Sequence, residues 1–97
     1  MKAPHEGLRV LDLSDRQSGA FAARLFGDFG AEVILVESPE GHPLRGEPPF
    51  LEGKAGPNRS VMHSFINWNK KSIVVENREE FADFVASADV VITTSDP

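Results

Sequence analysis

Apolar residues along the chain change their spacing several times, and each change marks an element. Leu8, Val10, Leu11 and Leu13 form a strand-length apolar run, Gly19 to Phe29 carries apolar residues at helical spacing, and Val33 to Val36 is a second apolar run closed by Glu37. Strand, helix and strand over Leu8–Glu37 make a βαβ unit. The periodicity then lapses. Pro39, Pro43, Pro48, Pro49 and Pro57 alternate with Gly41, Gly46, Gly53 and Gly56. The resulting irregular stretch of roughly 20 residues is longer than a plain connection in a compact domain, which marks a functional or partner-covered segment.

Beyond this stretch Ser60 reads as the cap of a short helix reaching about Trp68, with Val61, Met62, Phe65 and Ile66 on its apolar side. Ser72 to Val75 reads as a third strand. Asn77 caps a helix over Arg78–Ser87, where Phe81, Phe84, Val85 and Ala88 recur at spacings of three and four, and Val90 to Thr93 is a fourth strand. The expected fold class is α/β, a Rossmann-like parallel sheet of about four strands with flanking helices. Right-handed crossovers give the strand order 3-2-1-4. Residues 1–97 read as a single portion of this kind. Because Asp96 and Pro97 follow directly on the last strand, whose face would otherwise lack cover, the portion is expected to be the N-terminal part of a larger architecture.

The first crossover, Ser14-Asp15-Arg16-Gln17-Ser18-Gly19, narrows the choice of ligand. It offers one glycine where a dinucleotide-binding turn needs three, so nicotinamide binding is a poor reading even though Glu37 stands roughly 20 residues on, where a ribose-binding acid belongs. The chain has no cysteine, which excludes disulfides, thiolate metal sites and thiol catalysis, and His5, His42 and His63 make no ligand-spaced cluster. A net charge of −5 disfavours a nucleic-acid partner, and no apolar run approaches the ~20 residues of a membrane span. Met1 to Gly7 has no apolar core of an export signal, so the cytoplasm is the expected compartment. Charge is unevenly spread, however. Between Arg45 and Lys71 stand Arg45, Lys54, Arg59, Lys70 and Lys71 against Glu47 and Glu52, so a small anionic ligand suits this segment as well as ordinary solvated loop charges do.

Five segments carry a resemblance when taken in order: Gly7-Leu8-Arg9-Val10-Leu11-Asp12-Leu13, Gly30-Ala31-Glu32-Val33-Ile34-Leu35-Val36-Glu37, Pro43-Leu44-Arg45-Gly46, Asn67-Trp68-Asn69-Lys70-Lys71-Ser72-Ile73 and Ala88-Asp89-Val90. With them the chain resembles, over essentially its whole length, the N-terminal part of the class III coenzyme A transferases of the CaiB/BaiF type. This family includes formyl-CoA and carnitine-CoA transferases and, with different chemistry, α-methylacyl-CoA racemase. The resemblance implies a Rossmann-like large domain followed by a smaller one, a homodimer of interlinked chains, and coenzyme A or acyl-CoA lying across the carboxyl ends of the first strands. It implies acyl-CoA and a small carboxylic acid as partners, while no metal, nucleic acid or membrane is expected from the composition.

By residue-wise matching, Arg16, Gln17 and Ser18 border the cofactor, with Gln17 near the acyl group. Arg45 and Arg78 match basic cofactor-side residues, Lys70 and Lys71 lie beside them, and Val75 lies near the adenine. Guanidinium groups suit this task because they hold phosphates in a bidentate fork. Each position also has a plainer reading: Gln17 at a helix start, Arg78 in a first turn, Lys70 and Lys71 at a polar strand entry, Val75 at the end of a buried strand.

The chemistry implied is covalent. An aspartate carboxylate attacks the acyl thioester, forms a mixed anhydride and then an aspartyl-CoA thioester, and passes the coenzyme to the acceptor acid. In the family that aspartate lies downstream of this segment, and none of Asp12, Asp15, Asp28, Asp83, Asp89 or Asp96 matches it; Asp12 reads as structural. The chain alone is therefore expected to be inactive as an enzyme. The sequence departs from the family pattern at Ser38-Pro39, where a basic residue often follows the acid, and at Ser18-Gly19-Ala20-Phe21, where alanine, glycine and proline are common. A racemase branch, with a histidine and aspartate acid/base pair, and a non-catalytic scaffold with a weakened cofactor site stay open as alternatives.

Overall fold

Each of the four apolar runs forms a strand: β1 (Arg9–Asp12), β2 (Glu32–Glu37), β3 (Lys71–Val74) and β4 (Val90–Ile92). Helices α1 (Gln17–Asp28), α2 (Val61–Ile66) and α3 (Arg78–Ser87) join them. The computed structural model describes residues 4–56 and 58–94. Pro57, Asp96 and Pro97 lie outside the described residues. All strand pairings are parallel and the order is β3-β2-β1-β4, as the crossover rule requires. In register, Leu11 stands opposite Ile34 on one side and Val91 on the other, and Leu35 stands opposite Ser72.

The two central strands, β1 and β2, are the buried ones. In β2, Val33, Ile34 and Leu35 are all sealed from solvent, which explains its continuous apolar run where a half-exposed strand would alternate. Helix α1 approaches the sheet through its small residues Gly19, Ala20, Ala23 and Gly27, while Phe21 and Leu25 point outward. The core therefore sits between α1 and the sheet, with Val10, Ala23, Ala31 and Val33 at its centre and Leu8, Phe26, Val90 and Ile92 around them. A smaller cluster of Ala20, Leu44 and Ile66 joins α1, α2 and the loop after β2. On the opposite face α3 buries none of its residues, and Val91 on the edge strand β4 is exposed.

Both predicted helix caps are present. The Ser60 side chain accepts from the His63 N–H, and the Asn77 side chain from the Glu80 N–H. Element ends shift by one or two residues: α1 starts at Gln17 instead of Gly19, α2 ends at Ile66 before Trp68, and β3 runs one residue earlier than Ser72–Val75. The stretch expected to be irregular holds two 3₁₀ turns, Pro43–Gly46 and Leu51–Gly53. In the first, the His42 ring accepts from the Leu44 N–H and Pro43 supplies the fixed backbone angle at the start. Among the described residues no helix is long and apolar enough to cross a membrane.

Candidate functional site

A parallel sheet gathers the carboxyl ends of its strands on one edge, and ligands of open α/β folds sit there. Among the described residues, two clefts lie at that edge. The first, of about 520 Å³, is lined by Leu13 after β1, Val36, Glu37 and Ser38 at the end of β2, Val75, Glu76, Asn77 and Arg78 leading into α3, Phe81 of α3, and Thr93 after β4. It thus draws on all four strand ends, including the point between β1 and β4 where the strand order reverses. The second, of about 840 Å³, lies under the loop after β2, among residues such as Ser38, Gly41, Arg45, Phe50, Asn58 and Val74. Glu37 and Ser38 line both clefts and form the wall between them.

Arg78 is exposed at the first position of α3, lines the first cleft, and has no hydrogen-bond or ion-pair partner among the described residues. The other arginines differ. Arg9 meets Glu32 at 3.0 Å, Arg24 meets Asp28 at 3.5 Å, Arg45 meets Glu37 at 2.6 Å and Arg59 meets Glu52 at 3.5 Å, while Arg16 stands 4.0 Å from Asp15. Val75 lines the same cleft as Arg78, and its N–H donates to the Glu37 carbonyl at 3.1 Å.

Arg45 occupies a different setting. Its Nε and Nη2 donate to the two oxygens of Glu37 at 2.6 and 2.8 Å, and its Nη1 donates to Asn58 at 2.9 Å. The same carboxylate accepts from the His42 N–H at 2.7 Å and from the Ser72 hydroxyl. Arg45 first, helped by Ser72 and His42 and opposed by burial, holds the Glu37 carboxyl down to a pKa of about 2. Arg45 therefore lines the second cleft, and the shared Glu37–Ser38 wall separates it from Arg78.

Gln17 and Ser18 form the first turn of α1 after Arg16, the extended N-cap residue. All three are exposed and line neither cleft. The loop they follow is fixed from below. Ser14 donates its N–H and hydroxyl to Asp12 at 2.9 and 2.5 Å, and the Asp15 N–H donates to the Thr94 hydroxyl at 3.0 Å while that hydroxyl donates back to the Asp15 carboxylate at 2.7 Å. The Thr94 hydroxyl is also the main cause that lowers the Asp15 pKa. A Cβ on Gly19 would fall 2.5 Å from the Ser14 Cβ and 2.7 Å from the Thr94 Cγ2, so only glycine lets α1 pass this close to both strand ends.

Lys70, expected beside the cofactor, points into the interior. Its ammonium donates to Asp12 at 2.7 Å, Asn67 at 2.6 Å and the Ala20 carbonyl at 2.8 Å, using all three protons. Asp12 is structural, as the sequence indicated. Lys71 is exposed and stands 3.5 Å from Glu32, away from the carboxyl edge.

His42 lines the second cleft and has a second histidine, His63, beside it, a pairing that sequence spacing does not reveal. His42 is buried, its Nε2–H donating to the Ser14 carbonyl at 2.7 Å, which ties the long loop to the end of β1. Its ring lies 6.0 Å from that of His63, whose pKa burial pushes down to about 4. Among the described residues no group of three or more histidines, cysteines or acids is placed to hold a metal ion.

Comparison with known proteins gives this arrangement a context. The model of CoA-transferase family III matches residues 6–97. The chain is 35% identical over 92 residues to a succinyl-CoA:mesaconate CoA-transferase of Haloarcula hispanica, covering 90% of the chain and 23% of the relative. It is 34% identical over 92 residues to a cinnamoyl-CoA:phenyllactate CoA-transferase of Clostridium sporogenes, covering 90% and 22%. Among solved structures, a CAIB/BAIF family protein from Brucella suis superposes with a TM-score of 0.81 at 36% identity, covering 96% of the chain and 26% of that protein. The chain thus spans about a quarter of the length of the relatives it matches.

Proposed function

Since the chain belongs to CoA-transferase family III, we propose that it is the coenzyme-binding part of an enzyme that moves coenzyme A between an acyl-CoA and a small carboxylic acid. The observation that carries this reading is Arg78, a guanidinium without a partner among the described residues, on a cleft that draws on all four strand carboxyl ends. Coenzyme A is a polyanion at one end and a thiol at the other. A bidentate arginine suits its phosphates, and apolar Leu13, Val36, Val75 and Phe81 in the same cleft suit a purine ring. From there the pantetheine arm runs toward the start of α1, where Arg16, Gln17 and Ser18 stand exposed, and Gln17 contacts the acyl group.

The exchange needs a carboxylate nucleophile, and the aspartates described here are poorly suited to it. Asp12 is sealed in an ion pair, Asp15 is bonded to Thr94, Asp28 is paired with Arg24, Asp89 accepts the Arg9 N–H at 2.8 Å, and Asp83 lies on the exposed side of α3. The chain therefore binds without turning over, and the nucleophile belongs to a longer, homodimeric parent.

Calorimetric titration of the 97-residue chain with coenzyme A, alongside an acyl-CoA:carboxylate exchange assay, tests both parts. Saturable binding that is weakened but still measurable in Arg78→Ala, with no exchange, is the expected result. Absence of saturable heat would replace this reading with that of a scaffold, and exchange by the chain itself would overturn the assignment of the nucleophile.

A further inference from the structure

We propose that Glu37 and Arg45 are a positioning pair that sets the wall between the two clefts, and that Arg45 serves the coenzyme site through Glu37 instead of holding a phosphate. The geometry of the pair separates the two roles. A guanidinium that grips phosphate must offer its paired N–H groups to the ligand, and those of Arg45 are already directed at both oxygens of Glu37, with Nη1 on Asn58. Glu37 in turn has 3% of its side chain exposed against 20% for Arg45. A phosphate that drew Arg45 away would leave a buried carboxylate without its counter-ion, which is the unfavourable half of breaking such a pair. Arg78 carries no such obligation.

What the pair organises is visible in the other bonds of Glu37. Its side chain also accepts from the His42 N–H and the Ser72 hydroxyl, and its carbonyl accepts from the Val75 N–H. One residue thereby fixes the end of β2, the start of the long loop, β3, and the segment that leads to Arg78. Asn58 extends the network to the far side of that loop. Ser38, the next residue, lines both clefts, so any shift of Glu37 moves the wall on each side.

The binding arm of the test rests on the coenzyme reading above, and a second arm does not. Coenzyme A is titrated at low and high salt into the parent chain, Arg45→Ala, Arg45→Lys, Glu37→Gln, Arg78→Ala and the Glu37→Gln/Arg45→Ala double variant. Arg45→Ala and Glu37→Gln are each expected to weaken binding by about tenfold, the scale of one lost hydrogen bond to a charged group. The double variant is no weaker than either single one, as for residues acting as a unit. Arg45→Lys, which keeps charge but not the fork, restores only part of the affinity. Arg45→Ala keeps the salt dependence of the parent, whereas Arg78→Ala flattens it. Tighter binding in Glu37→Gln, or a flattened salt dependence in Arg45→Ala, would make Arg45 a phosphate ligand and overturn the proposal while the coenzyme reading stands. If the parent takes up no coenzyme A, the coenzyme reading falls and amide exchange decides the pair. Glu37→Gln and the Arg45 variants must then speed exchange at Gly41, His42, Arg45 and Glu47 alike, and unchanged exchange refutes the pairing. Should Arg45→Ala fail to fold, Arg45→Lys and Glu37→Gln carry the same comparison.

Discussion

Lys70 donates to Asp12 across 2.7 Å and 58 positions of sequence, with 1% and 0% of their side chains exposed. Burial lowers the Lys70 pKa and the bond to Asp12 acts against it, so the Lys70 ammonium relies on Asp12 as its buried counter-ion. Lys70→Met or Asp12→Leu should each cost about 3–5 kcal/mol, because a buried charge is left without its partner. The double change Asp12→Leu/Lys70→Met should be more stable than either single one, but not parental, since the Ser14 N–H and hydroxyl also lose their acceptor. Urea unfolding of the four proteins measures this; a double variant as unstable as the sum of the singles would refute the coupling.

The sequence carried half of this pair in plain view. Val10 and Asp12 lie two residues apart on β1, so they share a sheet face, and Val10 belongs to the α1-side core. Glu37 likewise follows Val33 and Leu35 on β2. An acid in phase with core residues must find a cation or a set of donors, and that signal predicts a buried partner for each. It does not say which cation. Lys70 and Lys71 are neighbours at a strand entry, and alternation sends one in and one out according to register. Arg45 and Arg59 both lie in a loop without periodicity. The strand order and both caps were legible because they depend on local pattern, whereas the network around Glu37 depends on how the loop folds back over the sheet edge.

Acid should weaken the fold in two successive ranges. His63 has its folded pKa depressed from 6.5 to about 4 by burial, so the unfolded chain binds its proton first and stability is lost as pH falls through that range. Glu37 has its folded pKa depressed from 4.5 to about 2, chiefly by Arg45, so its contribution is complete above 4.5 and is lost as pH falls toward 2. Unfolding free energies measured against pH for the parent, His63→Phe and Glu37→Gln test the assignment. The histidine variant should remove the upper slope and the glutamine variant the lower one.

Gly19 marks the tightest passage of α1 over the sheet. Alanine there meets Ser14 and Thr94, both anchored by hydrogen bonds of their own, so neither can swing aside freely. A cost of about 1–3 kcal/mol is expected, the usual range for overpacking, although alanine favours helix. Thermal unfolding of Gly19→Ala that matched or exceeded the parent would mean that the loop yields. Backbone amide shifts at Asp15 and Thr94 would show the same displacement independently.

Helix α2 sets two neighbouring apolar residues in opposite environments. Ile66 is 6% exposed and packs with Ala20 and Leu44, whereas Trp68, just past the helix, is 65% exposed, with Phe65 at 59%. Ile66→Ala should therefore cost about 2–5 kcal/mol through the cavity it leaves, while Trp68→Gln should stay within about 0.5 kcal/mol of the parent. Because Trp68 is the single tryptophan of the chain, its fluorescence reports the same geometry directly. Acrylamide should quench it nearly as well in the folded chain as in urea. Strong protection in dilute solution, together with a large penalty for Trp68→Gln, would mean that this apolar face is covered by another molecule of the chain and not by water.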